Sequence, residues 1–245
     1  ILISAPTASG KTLTAILATI SYLSKNNGKV IYLSPLRALA AEKFTEFKKL
    51  EKVELGKKIK VGISTGDFEN IEKNLEKNDV IILTNEKMDS IIRHGAEWID
   101  DIGLVIADEI HLIGDESRGP TLEMILTKLK LLVSKPQIVG LSATITNSNE
   151  IANWLDCILV KNDWRPVPLS EGVYDAGEVI MNDGKKFKVE SSICGTPIDL
   201  GVQSVKDGGQ SLVFAETRTR SKALAIKAAD VISQFLEKKE SEELE

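Results

Sequence analysis

Two short stretches of the chain carry side chains whose types and spacing could do chemistry. The first is APTASGKT, residues 5–12, and the second is ADEIH, residues 107–111. In the first, small residues lead into Gly10, Lys11 and Thr12. Small side chains let a backbone curl so that successive N–H groups point inward, and a helix starting there adds the positive end of its dipole. The pattern G-x-x-x-x-G-K-S/T cradles phosphates in this way. Here Ala5 stands at the first glycine position. Ala5, Pro6, Thr7, Ala8, Ser9, Gly10, Lys11 and Thr12 are therefore expected to wrap the phosphates of ATP. Lys11 would reach the β- and γ-phosphates, and the Thr12 hydroxyl would bind Mg²⁺.

In the second stretch, the apolar run LVIAD (104–108) ends in two carboxylates, Asp108 and Glu109. Adjacent carboxylates repel and each resists leaving water, so something cationic is expected beside them. If the strand ending at Asp108 lies near the first strand, both carboxylates face the phosphate loop. Asp108 would then hold Mg²⁺, directly or through water, and Glu109 would orient and deprotonate an attacking water. Alone, an Asp-Glu pair reads as a solvated strand end; the loop upstream changes that reading. His111 by itself reads as a packed or capping residue. Ser-Ala-Thr at 142–144 by itself reads as a turn cap.

The elements that would position these residues alternate regularly. Strand-like runs are ILISAP (1–6), KVIYLSP (29–35), KVGIS (60–64), DVIILT (79–84), LVIAD (104–108), QIVGLSAT (137–144) and CILVK (157–161). Several are continuously apolar and β-branched, as strands covered on both faces should be. Between them lie helical patterns. KTLTAILATISYLSK is expected to bury a stripe of Leu13, Ile16, Leu17, Ile20 and Leu23, with Asn27-Gly28 as its stop. PTLEMILTKLKLLVSK repeats the stripe with Leu122, Ile125, Leu126 and Leu129, and Pro120 marks its start. This repetition predicts an α/β fold with a parallel sheet and right-handed crossovers. The beat breaks at DWRPVPLSEG (163–172), whose prolines suit an extended linker. Beyond it, GEVIMNDGKKFKV (177–189) predicts a hairpin turning at Asn182-Asp183-Gly184. QSLVFAET (210–217) reads as a further buried strand, followed by a helix and an acidic tail, ESEELE. The expected organisation is a full domain over 1–165, a linker at 166–172, and the first part of a second domain over 173–245.

The 245 residues, 42% of them hydrophobic, suffice for a sizeable core. No apolar run reaches the roughly 18 residues of a membrane span, and ILISAPT, with no basic n-region and no small-residue cleavage site, is not expected to be a secretory signal. The net charge of −5 excludes a wholly basic nucleic-acid coat but not a local basic groove. Segment 37–60, with eight Lys or Arg against four Glu, is the one markedly basic stretch. Cys157 and Cys194, without a ligand pattern, point to a reducing cytoplasm. The absence of an initiator Met suggests that the chain begins inside a longer parent.

The order A-x-x-x-x-GKT, D-E-x-H, S-A-T resembles superfamily 2 helicases of the DExH class. SPLRALAAEKF (34–44) looks like their motif Ia. STGD (64–67) and TNEKMDSIIRH (84–94) look like the next two nucleic-acid-facing motifs. RGPTLE (118–123) and DWRPVPL (163–169) resemble the Ski-two-like branch, closest to the archaeal fork-repair DNA helicases called Hjm or HelQ-like. SLVFAETRTRSK (211–222) looks like motif IV, opening a second domain. The resemblance implies a RecA-like phosphate-loop NTPase domain followed by an incomplete second RecA-like domain. It implies an ATP- and Mg²⁺-dependent motor, 3′ to 5′ on single-stranded or forked DNA, with RNA as the alternative substrate. It further implies a monomer that works in the cytoplasm, at the nucleoid. Lys11, Thr12, Asp108 and Glu109 take the nucleotide, metal and base roles. His111, Ser142 and Thr144 would couple nucleotide state to domain movement. Arg37, Gly66, Thr84 and Lys87 would lie along the nucleic-acid track. The family's glutamine motif would precede residue 1, and the arginines that complete its ATP site would follow residue 245. The chain alone is therefore expected to bind Mg-nucleotide weakly and hardly to hydrolyse it. A non-catalytic ATP-binding scaffold is the competing class, and an intact Glu109 argues against it.

Overall fold

The computed structural model describes residues 1–53, 56–66, 75–134, 136–189 and 195–233. Asp67 of the STGD segment, Cys194 and the acidic tail lie outside the described residues. The chain divides into two compact units, Ile1–Val167 and Pro168–Glu245.

All seven apolar runs of the first unit become strands: β1 (Leu2–Ser4), β2 (Lys29–Ser34), β3 (Val61–Ser64), β4 (Val80–Thr84), β5 (Ile102–Ala107), β6 (Gln137–Ser142) and β7 (Leu159–Lys161). They form one sheet in the order β3-β4-β2-β5-β6-β1-β7, with every pairing parallel. Among the described residues the α-helices are α1 (Lys11–Leu23), α2 (Arg37–Phe47), α3 (Asn85–His94), α4 (Gly119–Leu132) and α5 (Ser148–Leu155). The pleat sends alternate side chains to two cores. Ile31, Leu33, Val105 and Ala107 pack with Met88, Leu122, Ile125, Leu126, Leu129 and Ile151, on the side of α3, α4 and α5. Val30, Tyr32, Leu104 and Ile106 pack with Ala15, Leu23, Ala40 and Phe47, on the side of α1 and α2. The sheet is thus covered on both faces, which is why its strands read as continuous apolar runs.

Two expectations for α1 are corrected. Its buried residues are Ala15, Thr19 and Leu23, with Ile16 and Ile20 half-buried, whereas Leu13 and Leu17 are 60% and 56% exposed. Small residues on the contact face let the helix lie close to the sheet, and an almost all-round apolar helix hides which face that is. The helix also ends at Leu23, before Asn27-Gly28. Gly28 is needed for close approach instead: a Cβ there would lie 2.2 Å from the Tyr22 hydroxyl oxygen and 2.9 Å from the Asp101 carbonyl.

In the second unit, β8 (Gly172–Asp175), β9 (Glu178–Met181) and β10 (Lys186–Lys188) form an antiparallel meander, with Gly184 turning at φ +82°. Helices α6 (Thr196–Lys206) and α7 (Arg218–Ile232) follow. The expected buried strand at 210–217 is not formed. The stretch joins no ladder among the described residues, and Leu212 and Phe214 are 79% and 86% exposed. An apolar run becomes a strand only where a neighbour takes its N–H and C=O groups, and no described strand runs beside this one.

Candidate active site

The parallel strands bring all their following loops to one edge of the sheet. β5 is not adjacent to β1, because β6 lies between them. The Ser142–Ala143–Thr144 segment therefore sits between the phosphate loop and the Asp108–Glu109 pair. The Ala5 N–H donates to the Ser142 carbonyl at 3.1 Å, and the hydroxyls of Ser4 and Ser142 both donate to the Ala143 carbonyl. Ser142 is fully buried, while Thr144 is exposed.

The loop after β1 reverses through Ala8 at φ +63° and Gly10 at φ +90°. Ala5 has no left-handed backbone, so a Cβ is tolerated where the phosphate-loop pattern has glycine. Helix α1 then begins with no side-chain cap and no acidic residue in its first turn. Its leading N–H groups are left for an external acceptor. The Ser9 hydroxyl oxygen is buried without a hydrogen-bond partner, a second unmet group in the same loop. The Lys11 ammonium donates to the carbonyls of Ala5 and Pro6 at 2.8 and 2.9 Å. Burial lowers its pKa from the usual ammonium range, against the opposing pull of Glu109 and Asp108.

A cavity of about 510 Å³ unites these groups: Lys11 and Thr12 from the loop, Asp108 and Glu109 from the end of β5, and Glu42, Lys43 and Glu46 from α2. Glu109 holds a left-handed backbone at φ 49°, a conformation L-residues reach at a cost of about 1–2 kcal/mol. Its carboxylate lies 3.3 Å from Nδ1 of His111, without the alignment of a hydrogen bond. Asp108 is 8% exposed. Its Oδ1 accepts the Glu109 N–H at 3.0 Å and its Oδ2 accepts the Tyr32 hydroxyl at 2.6 Å. Burial, reinforced by the Asp108 carboxylate, pushes the Tyr32 phenol far above its usual range, so it stays protonated and donates. Lys43 donates to Thr12 Oγ1 at 3.0 Å and pairs with Glu42 at 3.1 Å and Glu46 at 3.3 Å. Burial works against its charge, yet the two glutamates outweigh it and its net pKa is raised.

Sequence reasoning missed Tyr32, Glu42, Lys43 and Glu46. Tyr32 alone left a trace, as the one polar-tipped residue inside an aliphatic strand. The donor set fits Mg²⁺ in kind: a hydroxyl from Thr12 and a carboxylate from Asp108 are hard oxygen ligands. Among the described residues no cluster of three or more His, Cys, Asp or Glu could hold a metal by itself. Mg²⁺ does not require such a cluster, because it is usually held by one or two protein oxygens together with phosphate and water.

A second cavity, of about 330 Å³, opens at the same edge over the ends of β2, β3 and β4. It collects all four expected track residues, Arg37, Gly66, Thr84 and Lys87, and adds Glu86 and Arg118. The Thr84 hydroxyl accepts the Lys87 N–H at 3.3 Å and caps α3. Arg118 is placed by the Asp115 carboxylate, which accepts its N–H at 2.9 Å, together with the Ser117 hydroxyl and N–H. Those bonds hold the Asp115 pKa below the usual carboxylate range.

A doubly wound parallel sheet, with a phosphate loop after its first strand and an Asp-Glu pair across the SAT segment, defines a RecA-like nucleotide-binding domain. Residues 1–151 match the DEAD/DEAH box helicase family, and the chain belongs to it. It is similar to proteins named ATP-dependent DNA helicase Hel308. The one from Pyrococcus horikoshii is 46% identical over 99% of this chain and 32% of its own length. That from Thermococcus kodakarensis is 44% identical over 100% of this chain and 21% of its own. The chain thus spans a third or less of these relatives. Among solved structures, Mycobacterium smegmatis helicase Lhr bound to ssDNA and AMP-PNP is 34% identical, with a TM-score of 0.55 over 66% of this chain and 23% of that one. The Pyrococcus furiosus Hef helicase domain is 25% identical, with a TM-score of 0.56 over 66% of this chain and 35% of that one. Among the described residues no helix is long and apolar enough to cross a membrane.

Proposed function

We propose that the chain carries the ATP-hydrolysing part of a helicase that translocates 3′ to 5′ on single-stranded DNA, with forked DNA as its setting. The observation that carries this reading is the single cavity joining Lys11 and Thr12 to Asp108 and Glu109. The uncapped start of α1 and the Lys11 ammonium bind the phosphates. Thr12 and Asp108 hold Mg²⁺, which when bound neutralises charge on the phosphate oxygens. Glu109 orients the attacking water and accepts its proton. The Ser142 carbonyl accepts from the Ala5 N–H and His111 lies beside Glu109; these two residues, with Thr144, would couple nucleotide state to domain movement. Residues 1–165 form the first RecA-like domain, 166–172 a linker and 173–245 the start of a second.

The second cavity supplies the track. Arg37, Lys87 and Arg118 meet phosphates, and Gly66 and Thr84 let the nucleic-acid backbone come close. Contacts of this kind do not read base identity. DNA is preferred to RNA because the relatives above are named DNA helicases. The protein acts as a monomer in the cytoplasm. The test is ATP turnover by this chain carried within a protein of its relatives' full length, with no nucleic acid, with single-stranded DNA, or with RNA of the same sequence, beside a Glu109→Gln control. Stimulation by DNA is the expected result. Stimulation by RNA alone would replace the substrate, and nucleotide binding without turnover under any condition would leave a scaffold.

A further inference from the structure

The bond between Tyr32 and Asp108 joins residues 76 apart in the sequence. Tyr32 is fully buried in β2, where its backbone is in register with Ile106 of β5, two residues before Asp108. Its ring meets Phe47 edge-on, with centroids 5.2 Å apart and planes at 66°. Packing alone would be served by phenylalanine, and a buried hydroxyl costs free energy unless it is bonded. The hydroxyl here has one acceptor, Asp108 Oδ2, while Oδ1 is occupied by the N–H of Glu109. One donor reaches across from β2 and the other is the backbone of the residue that follows Asp108, so together they hold both oxygens of the carboxylate.

We propose that Tyr32 is a positioning residue for the metal-binding carboxylate: its hydroxyl fixes Asp108 and thereby sets the Mg²⁺-dependent share of nucleotide affinity. This rests on the nucleotide reading of the cavity. Groups that orient a metal ligand from outside the coordination sphere typically change metal affinity about 10–100-fold when removed. The Tyr32 hydroxyl bonds Asp108 and makes no hydrogen bond to the phosphate loop among the described residues, so affinity for nucleotide without metal should not depend on it.

The experiment titrates a fluorescent, non-hydrolysable ATP analogue onto the protein, once with Mg²⁺ and once with EDTA. It compares wild type, Tyr32→Phe, Asp108→Asn and the double variant. Wild type should bind more tightly with Mg²⁺. Tyr32→Phe should lose about 10-fold or more of that gain and keep its affinity in EDTA. In the Asp108→Asn background the Tyr32→Phe change should have no further effect on the gain. A full Mg²⁺ gain in Tyr32→Phe overturns the proposal. So does an equal loss with and without metal, which is what a merely structural role produces, and so does an undiminished effect in the Asp108→Asn background. A wild type that binds no nucleotide in either buffer overturns the nucleotide reading, and this inference with it.

Discussion

The two cavities at the carboxyl edge of the sheet differ in how their charge is arranged. The first sets Lys11 and Lys43 against Glu42, Glu46, Asp108 and Glu109; Lys43 pairs with Glu42 and Glu46, Lys11 bonds the Ala5 and Pro6 carbonyls, and Asp108 accepts from Tyr32. Among the described residues the second is lined by Arg37, Lys87 and Arg118 together with Glu86. Opposed charges held at fixed points suit a reaction in which charge shifts and a proton moves. Charge of one sign along an open groove suits a polyanion whose register does not matter. One edge of one sheet thus carries two cavities of different character, the first at the ends of β1 and β5 and the second over the ends of β2, β3 and β4.

That contrast can be broken at its chemical end with Glu109→Gln. The substitution keeps shape and removes the proposed base, so in a protein of the relatives' full length kcat should fall roughly 10²–10⁴-fold while nucleotide affinity holds; steady-state turnover beside a nucleotide titration checks it. At the binding end, Arg37→Ala or Arg118→Ala should weaken single-stranded DNA binding irrespective of sequence. Each should lower the slope of log affinity against log salt by about one and leave nucleotide affinity alone. Binding isotherms across a salt series read this, and an unchanged slope would remove that arginine from the track. The smallest effect is expected at Thr84→Ala, which removes the cap of α3 and should cost about 1 kcal/mol of stability; urea unfolding measures it.

Much of the fold was legible because the strands of a covered parallel sheet are written as unbroken apolar runs. LVIAD and LVFAET show where that legibility stops. Both read as buried strands; one is the centre of the sheet as β5, and the other stands largely exposed at 212–217 with no ladder partner among the described residues. A strand's sequence records what it could pair with, not whether the neighbour is there. The same holds for α1, where periodicity favoured Leu13 and Leu17 and the sheet took Ala15 and Thr19. At the site, Lys11, Thr12, Asp108 and Glu109 were legible because their chemistry depends on local spacing. Tyr32 and Lys43 were not. Tyr32 reaches Asp108 across 76 residues and Lys43 reaches Thr12 across 31, through contacts that only the packed sheet creates. Arg118 was legible as part of a segment, but only the fold puts it beside Arg37.

The central claim is that the two cavities belong to one machine. It is tested most directly by the affinity of the Glu109→Gln protein for single-stranded DNA, measured with and without saturating MgATP. Coupled sites must change each other's affinity reciprocally, so the account predicts a DNA affinity altered roughly 5-fold or more by nucleotide. Identical affinities in both conditions, with nucleotide shown to be bound, would contradict it.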